Sequence, residues 1–163
     1  MTSDGRTSVR NGLEACLPRL WRYALVLTRN APDAEDLAQA TCLRAIERAH
    51  QFIPGTRLDR WLFAILRSIW LNQVRSERVR EGAGQVDAEA TLWIDGAQAI
   101  ETNILAAQVF KKLSALPTAQ RETALLVYAE GYSYAEAAAM LGIPIGTVMS
   151  RLSSVRAALT KDV

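Results

Sequence analysis

The stretch Gly131–Leu152, GYSYAEAAAMLGIPIGTVMSRL, decides the fold. Ser133 and Glu136 stand three apart, the spacing of a capping box: the Ser hydroxyl caps a helix and the Glu carboxylate reaches back. The helix they open is short and stops at Gly142, where the turn needs a positive φ that glycine supplies. Pro144 and Gly146 precede a final predicted helix, Ile145 to Leu159, carrying Val148, Leu152, Val155 and Leu159. Ala138 is small where the two helices would cross. Gly142 lies four residues later, and Val148 six after that, placed to fill the core under the second helix. This is the pattern of a DNA-reading helix-turn-helix. An ordinary helical hairpin with a Gly turn is the bland alternative; the capping box and the full set of spacings favour the helix-turn-helix. The last helix would then lie in the major groove, presenting Thr147, Met149, Ser150, Arg151, Ser153 and Ser154.

Upstream of this motif, Ile104, Leu105, Val109 and Leu113 form one apolar stripe, and Pro117 starts a helix that ends at Gly131. The N-terminal part is also helical. Leu13, Leu17, Leu20, Trp21, Ala24 and Leu25 recur at amphipathic spacing. Asn30-Ala31-Pro32 ends that helix, and Pro32 opens the next at a position where its missing N–H is harmless. Asp33, Glu35 and Asp36 fall in the new first turn, where the helix dipole favours anions. Gln51 to Thr56 is a loop marked by Pro54-Gly55. A third helix runs from about Leu58 to Glu81, with Trp61, Leu62, Ile65, Leu66, Ile69 and Val74 inward. No strand pattern and no internal repeat is present.

Charge divides the 163-residue chain in the same way. Residues 1–80 carry a net +5, residues 81–103 a net −5 with no basic residue, and residues 104–163 a net +2. The expected architecture is all-α: two small helical domains, 1–81 and 104–163, joined by a flexible acidic linker over 82–103. Leu92, Trp93 and Ile94 could form a short docked segment within the linker.

Composition excludes several function classes. Cys16 and Cys42 make no disulfide framework, and with His50 as the single histidine a zinc site or His-based catalysis is nearly excluded. No apolar run approaches the ~20 residues needed to span a bilayer, and polar Met1–Asn11 is not read as a secretory signal. A cytoplasmic binding protein without cofactor, metal, membrane insertion or small-molecule substrate is expected, not an enzyme.

Four runs in order carry a family resemblance: Asp33–Gln39 (DAEDLAQ), Trp61–Arg67 (WLFAILR) with Arg75, Arg78 and Arg80, Leu116-Pro117 with Arg121-Glu122, and the helix-turn-helix with GYSYAE and GTVMSRL. The chain resembles the extracytoplasmic-function (ECF) sigma factors of bacterial RNA polymerase. PGTRLDRWLFAILRS and SYAEAA are most like the alphaproteobacterial general-stress branch. The resemblance implies a promoter-specificity subunit with core polymerase, promoter DNA and an anti-sigma factor as partners. It places polymerase docking on Asp36, Gln39, Cys42 and Ile46, which share a helix face. It places minus-10 recognition and melting on the loop and third helix, through Phe52, Thr56, Arg57, Arg67, Trp70, Arg75, Arg78 and Arg80; Trp61 is assigned to the core. Minus-35 contacts fall on Thr147, Met149, Ser150, Arg151, Ser153, Ser154 and Arg156. The sequence departs from the family pattern at Ala40, Ser68 and Asn72, and at Met149 and Ser154, where basic residues are usual. That loss motivates a runner-up, a sigma-like decoy that sequesters an anti-sigma factor; a simple helix-turn-helix regulator is a third reading.

Overall fold

Asn30 ends one helix and begins another. Its Oδ1 accepts the Asp33 backbone N–H at 2.8 Å, and its Nδ2 donates to the Asp33 carboxylate at 2.7 Å. Arg29 before it takes a left-handed φ of 63°, so the chain reverses within two residues. The computed structural model describes residues 3–82 and 104–161. These residues are helical, with no strand among them, and the chain divides into two compact units, Met1–Thr91 and Leu92–Val163. The expected linker lies outside the described residues, apart from Gly82, and so does the Leu92–Ile94 segment.

In the first unit, α1 (Ser3–Thr28), α2 (Ala31–Glu47) and α3 (Leu58–Glu81) pack on one another, with a 3-10 turn at Ala49–Gln51. The core holds Val9, Leu20, Tyr23, Leu37, Leu62, Phe63 and Leu66, all at most 1% exposed. Tyr23 and Phe63 meet edge to face at 5.3 Å, a geometry aromatic rings favour. The first helix begins ten residues earlier than Leu13, the start its apolar pattern gives. Val9 continues the stripe back from Leu13, and Gly5 lies so close to the 3-10 turn that a Cβ there would sit 2.9 Å from the Phe52 carbonyl oxygen. Pro18 is accommodated within α1 on its solvent side.

The start of α3 is fixed by a buried acid. Asp59, 8% exposed, accepts Arg19 Nη2 of α1 at 2.8 Å and both Arg57 Nε and Nη2, at 3.1 and 2.7 Å. The Arg60 backbone N–H donates to it as well, at 3.0 Å. Arg19 also lies over the Phe63 ring, 5.3 Å from its centroid.

In the second unit, α4 (Ile104–Ser114), α5 (Thr118–Ala124), a π segment (Leu125–Ala129), α6 (Tyr134–Leu141) and α7 (Ile145–Thr160) follow in order. Pro117 caps α5, and the helix expected to run unbroken to Gly131 widens into the π segment, closed by Glu130 N–H donating to the Leu125 carbonyl at 2.9 Å. The capping box forms: Ser133 Oγ accepts from Glu136 N, and Glu136 Oε1 accepts from Ser133 N, both at 3.0 Å. Gly142 ends α6 in the left-handed region at φ 66°, and α6 and α7 turn through 106°, within the range of helix-turn-helix pairs. Ala138 is buried at 8%, and Val148, Leu152 and Val155 are fully buried. No single helix among the described residues is long and apolar enough to cross a membrane.

The arginines facing Asp59, Arg57 foremost, hold its carboxyl well below the usual carboxylate range. Ionised Asp59 therefore contributes stability that is complete above its unfolded pKa of about 3.9 and is lost as pH falls below it. Asp59→Asn should destabilise the first unit by about 1–3 kcal/mol near neutral pH. In urea titrations at a series of pH values, the variant should lack the part of the acid-induced loss that Asp59 gives the wild type.

Candidate functional site

On α2, successive exposed residues at three- and four-residue steps define one face: Asp36, Gln39, Leu43 and Ile46, the last two 61% and 58% exposed. Cys42 stands at its flank. It is half-buried and lines a groove with Val9, Leu13 and Leu17 of α1, also bordered by Ile46. Burial pushes its thiol pKa up, with Cys16 nearby adding to the shift. Leu43 was missed by the sequence reading, although its spacing from Gln39 and Ile46 marks the same face.

The turn after Ala49–Gln51 corrects one expectation. Phe52 is 5% exposed, its ring 5.3 Å from that of Trp61, so it belongs to the core and offers no face to an open strand. The exposed apolar residue of this turn is Ile53, at 68%. The turn itself closes with Thr56, whose N–H and hydroxyl both donate to the Ile53 carbonyl, at 3.2 and 2.6 Å. Strict alternation of inside and outside cannot be read from two adjacent apolar residues in a loop; the partner ring of Trp61 decides between them. Arg57 is exposed but forks onto Asp59, so part of its charge is already answered.

Along α3, Arg67, Arg75 and Arg78 fall on one broad face at 100° per residue. Arg75 and Arg78 are exposed, and Arg67 and Trp70 are half-buried. Arg80 departs from this group. It lines a groove on the other side of the helix with Ala40, Arg44, Asn72 and Glu77, between α2 and α3.

On α7, the buried stripe of Val148, Leu152 and Val155 sets what faces outward. The outermost positions are Gly146, Ser150, Ser153, Ser154 and Ala157, all exposed and all small. Ser154 Oγ donates to the Ser150 carbonyl at 3.2 Å. Half-buried Thr147 and Arg151 occupy one flank of this strip, and exposed Met149 and Arg156 the other. Arg156 Nη1 donates to the Tyr128 hydroxyl at 2.9 Å, a contact the sequence reading did not foresee.

A basic face on one helix bundle and a helix-turn-helix on a second unit agree with what known proteins show. The family description Sigma-70 region 2 matches residues 13–80, and Sigma-70, region 4 matches residues 107–159. The chain is 37% identical over 154 residues to the ECF RNA polymerase sigma factor EcfG of Rhodopseudomonas palustris (strain TIE-1), covering 94% of this chain and 83% of that one. The chain belongs to the ECF sigma factors. It is also 35% identical over 153 residues to the ECF sigma factor SigC of Mycobacterium tuberculosis (strain CDC 1551 / Oshkosh), covering 92% of this chain and 80% of that one. Among solved structures, the sigma factor RpoE crystallised with the anti-sigma factor NepR from Bartonella quintana matches this sigma factor with a TM-score of 0.69 and 31% identity, covering 93% and 94% of the two chains. CnrH, solved with the cytosolic domain of CnrY, shares the fold at a TM-score of 0.61 and 24% identity, over 98% and 92% of the chains.

The reassignment of the turn is open to a direct check. Phe52→Ala should lower the stability of this sigma factor by roughly 3–5 kcal/mol, the range for an aromatic lost from a core. Ile53→Ser should leave its thermal midpoint close to wild type.

Proposed function

We propose that this sigma factor recruits core polymerase through the α2 face, engages and opens the minus-10 element with α3 and the turn before it, and reads the minus-35 element with α7. The domain boundaries that go with this reading are 1–81 and 104–163, with 82–103 as connector. The observation that carries it is the occurrence in one chain of an arginine-lined helix face and a helix-turn-helix. Arginine neutralising phosphate supplies the sequence-independent part of DNA affinity. Exposed Ile53 and half-buried Trp70 are the apolar groups available to bases leaving the stack, a contact worth about 1–3 kcal/mol per base for an aromatic ring. The protein acts by binding and not by catalysis, needs no cofactor, and works in the cytoplasm where polymerase is.

The α2 face, with two exposed aliphatic side chains beside an acid and an amide, suits a partner protein. Polymerase core is the partner assigned to it. An anti-sigma factor is a second partner, by analogy with the RpoE–NepR complex. The decoy reading draws on Met149 and Ser154, where basic side chains are lacking. Reconstituted transcription with core polymerase separates the two: a sigma factor starts transcription, and a decoy binds an anti-sigma factor without doing so.

Asp36→Arg combined with Gln39→Ala should abolish co-purification with core polymerase while leaving the circular dichroism spectrum unchanged; retained binding would remove the docking assignment. In the holoenzyme, Arg75→Ala and Arg78→Ala should each lower the log–log salt slope of open-complex formation by about one. Wild-type slopes in both would show that these arginines are merely solvated. Arg151→Ala should leave the thermal midpoint nearly unchanged and flatten minus-35 base preference at one or two positions, since a bidentate arginine contact discriminates by about 1–3 kcal/mol. Intact preference would remove Arg151 from the contact set.

A further inference from the structure

Three observations meet on one flank of α7. First, the helix before the motif does not continue as an α-helix; it widens into a π segment, Leu125–Ala129. Such widenings recur at functional positions. Second, the widened turn keeps Leu125 and Leu126 in the core while Tyr128 stands 52% exposed. Third, the Tyr128 hydroxyl accepts a hydrogen bond from Arg156 Nη1 at 2.9 Å, across 28 residues of chain. Tyr134, at the start of α6, is 36% exposed in the same unit.

Arg156 is exposed, and its side chain donates to the neutral phenol of Tyr128. A guanidinium carries five N–H donors, so the bond to Tyr128 leaves others to offer. A phenol that accepts from arginine still has its own O–H to donate. Arg156 and Tyr128 therefore present donors and positive charge together, on the edge of the small-residue strip of α7. An oxyanion with several acceptor oxygens is the chemical complement, and arginine's planar fork suits phosphate best.

We propose that Tyr128, set outward by the π segment, is a positioning residue that holds Arg156 to grip a backbone phosphate of duplex DNA beside α7. This deepens the minus-35 assignment and rests on it. The contact carries no base preference, because phosphate contacts fix register and orientation and do not read sequence.

The test uses the full chain and a labelled random-sequence DNA duplex, with affinity measured across a potassium chloride series and thermal midpoints measured in parallel. Arg156→Ala should lower the log–log slope by about one. Tyr128→Phe, which removes only the hydroxyl, should weaken binding at low salt about threefold, the order of one hydrogen bond, without moving the thermal midpoint. In an Arg156→Ala background, Tyr128→Phe should have no further effect. Wild-type affinity in Tyr128→Phe, or a lowered midpoint with an unchanged slope, would overturn the proposal and make the pair a structural strap. If Arg151→Ala weakens binding and Arg156→Ala does not, the minus-35 assignment stands and the positioning role falls. If neither variant changes binding, the assignment of α7 to DNA falls too.

Discussion

The carboxylate of Asp59 stands where three parts of the first unit must agree. Arg19 brings in the middle of α1, Arg57 brings in the end of the loop, and the Arg60 N–H brings in the first turn of α3. A buried acid without such partners would be strongly unfavourable, because leaving water costs an ion several kcal/mol. With four hydrogen bonds from three residues it becomes a geometric constraint. The end of the loop is thereby tied, through Arg57, to both the first turn of α3 and the middle of α1. Arg19 extends the constraint inward through the Phe63 ring to Tyr23. The polar junction and the aromatic core are thus one assembly, and the minus-10 surface proposed for this sigma factor hangs from it.

The second unit solves a different problem. Its helices are short, and α6 has only eight residues, below the length at which a helix is stable by itself. It survives by capping at both ends, through Ser133 and Glu136 at the start and left-handed Gly142 at the close. Substituting the Ser cap by Ala would typically remove about 1 kcal/mol. Arg121, 5% exposed, supports the same unit from below by donating to the Leu116 carbonyl and to Thr118 Oγ1. Lys112 Nζ donates to the Leu159 carbonyl at 3.3 Å, a cation at the C-terminal end of α7 where the dipole favours one. The recognition helix is held by its flanks and end, which leaves its outer strip free of structural duty.

Elements governed by local rules were legible in the sequence. The Asn30-Ala31-Pro32 break, the capping box and the Ala138–Gly142–Val148 spacing each follow from one short-range physical requirement, and each stands where it was expected. What was not legible depends on partners distant in the chain. Phe52 is core because Trp61 faces it. Arg57 is an ion-pair partner because Asp59 and Arg19 close on one point. Arg80 turns to the α2 side because helical phase, and not charge, decides where it points. The π segment has no signature in the sequence; the i-to-i+5 bond from Glu130 N–H to the Leu125 carbonyl marks it. Val9 and Gly5 show the same limit at the N-terminus: a buried glycine has no apolar side chain to extend a stripe.

The layout of α7 bears on how such a weakly basic helix can serve DNA. Arg151 and Arg156 are five residues apart, which at 100° per residue leaves about 220° of the helix circumference between them on its exposed side. They cannot reach the same line of phosphates. Between them lie Ser150, Ser153, Ser154, Gly146 and Ala157, with no long side chain to keep the helix axis away from a groove floor. A helix laid between two phosphate walls would thus carry one arginine toward each wall and a thin, hydroxyl-bearing strip toward the bases. Such an arrangement favours placement over readout: short hydroxyls donate or accept with little preference, and two charges give few released counterions. Affinity on that scale suffices when the helix is delivered to its site by a subunit already held elsewhere on the same DNA, because tethering replaces free concentration by an effective one. The missing bases at Met149 and Ser154 are then consistent with a sigma factor whose arginine-rich α3 supplies most of the charge and whose α7 supplies position.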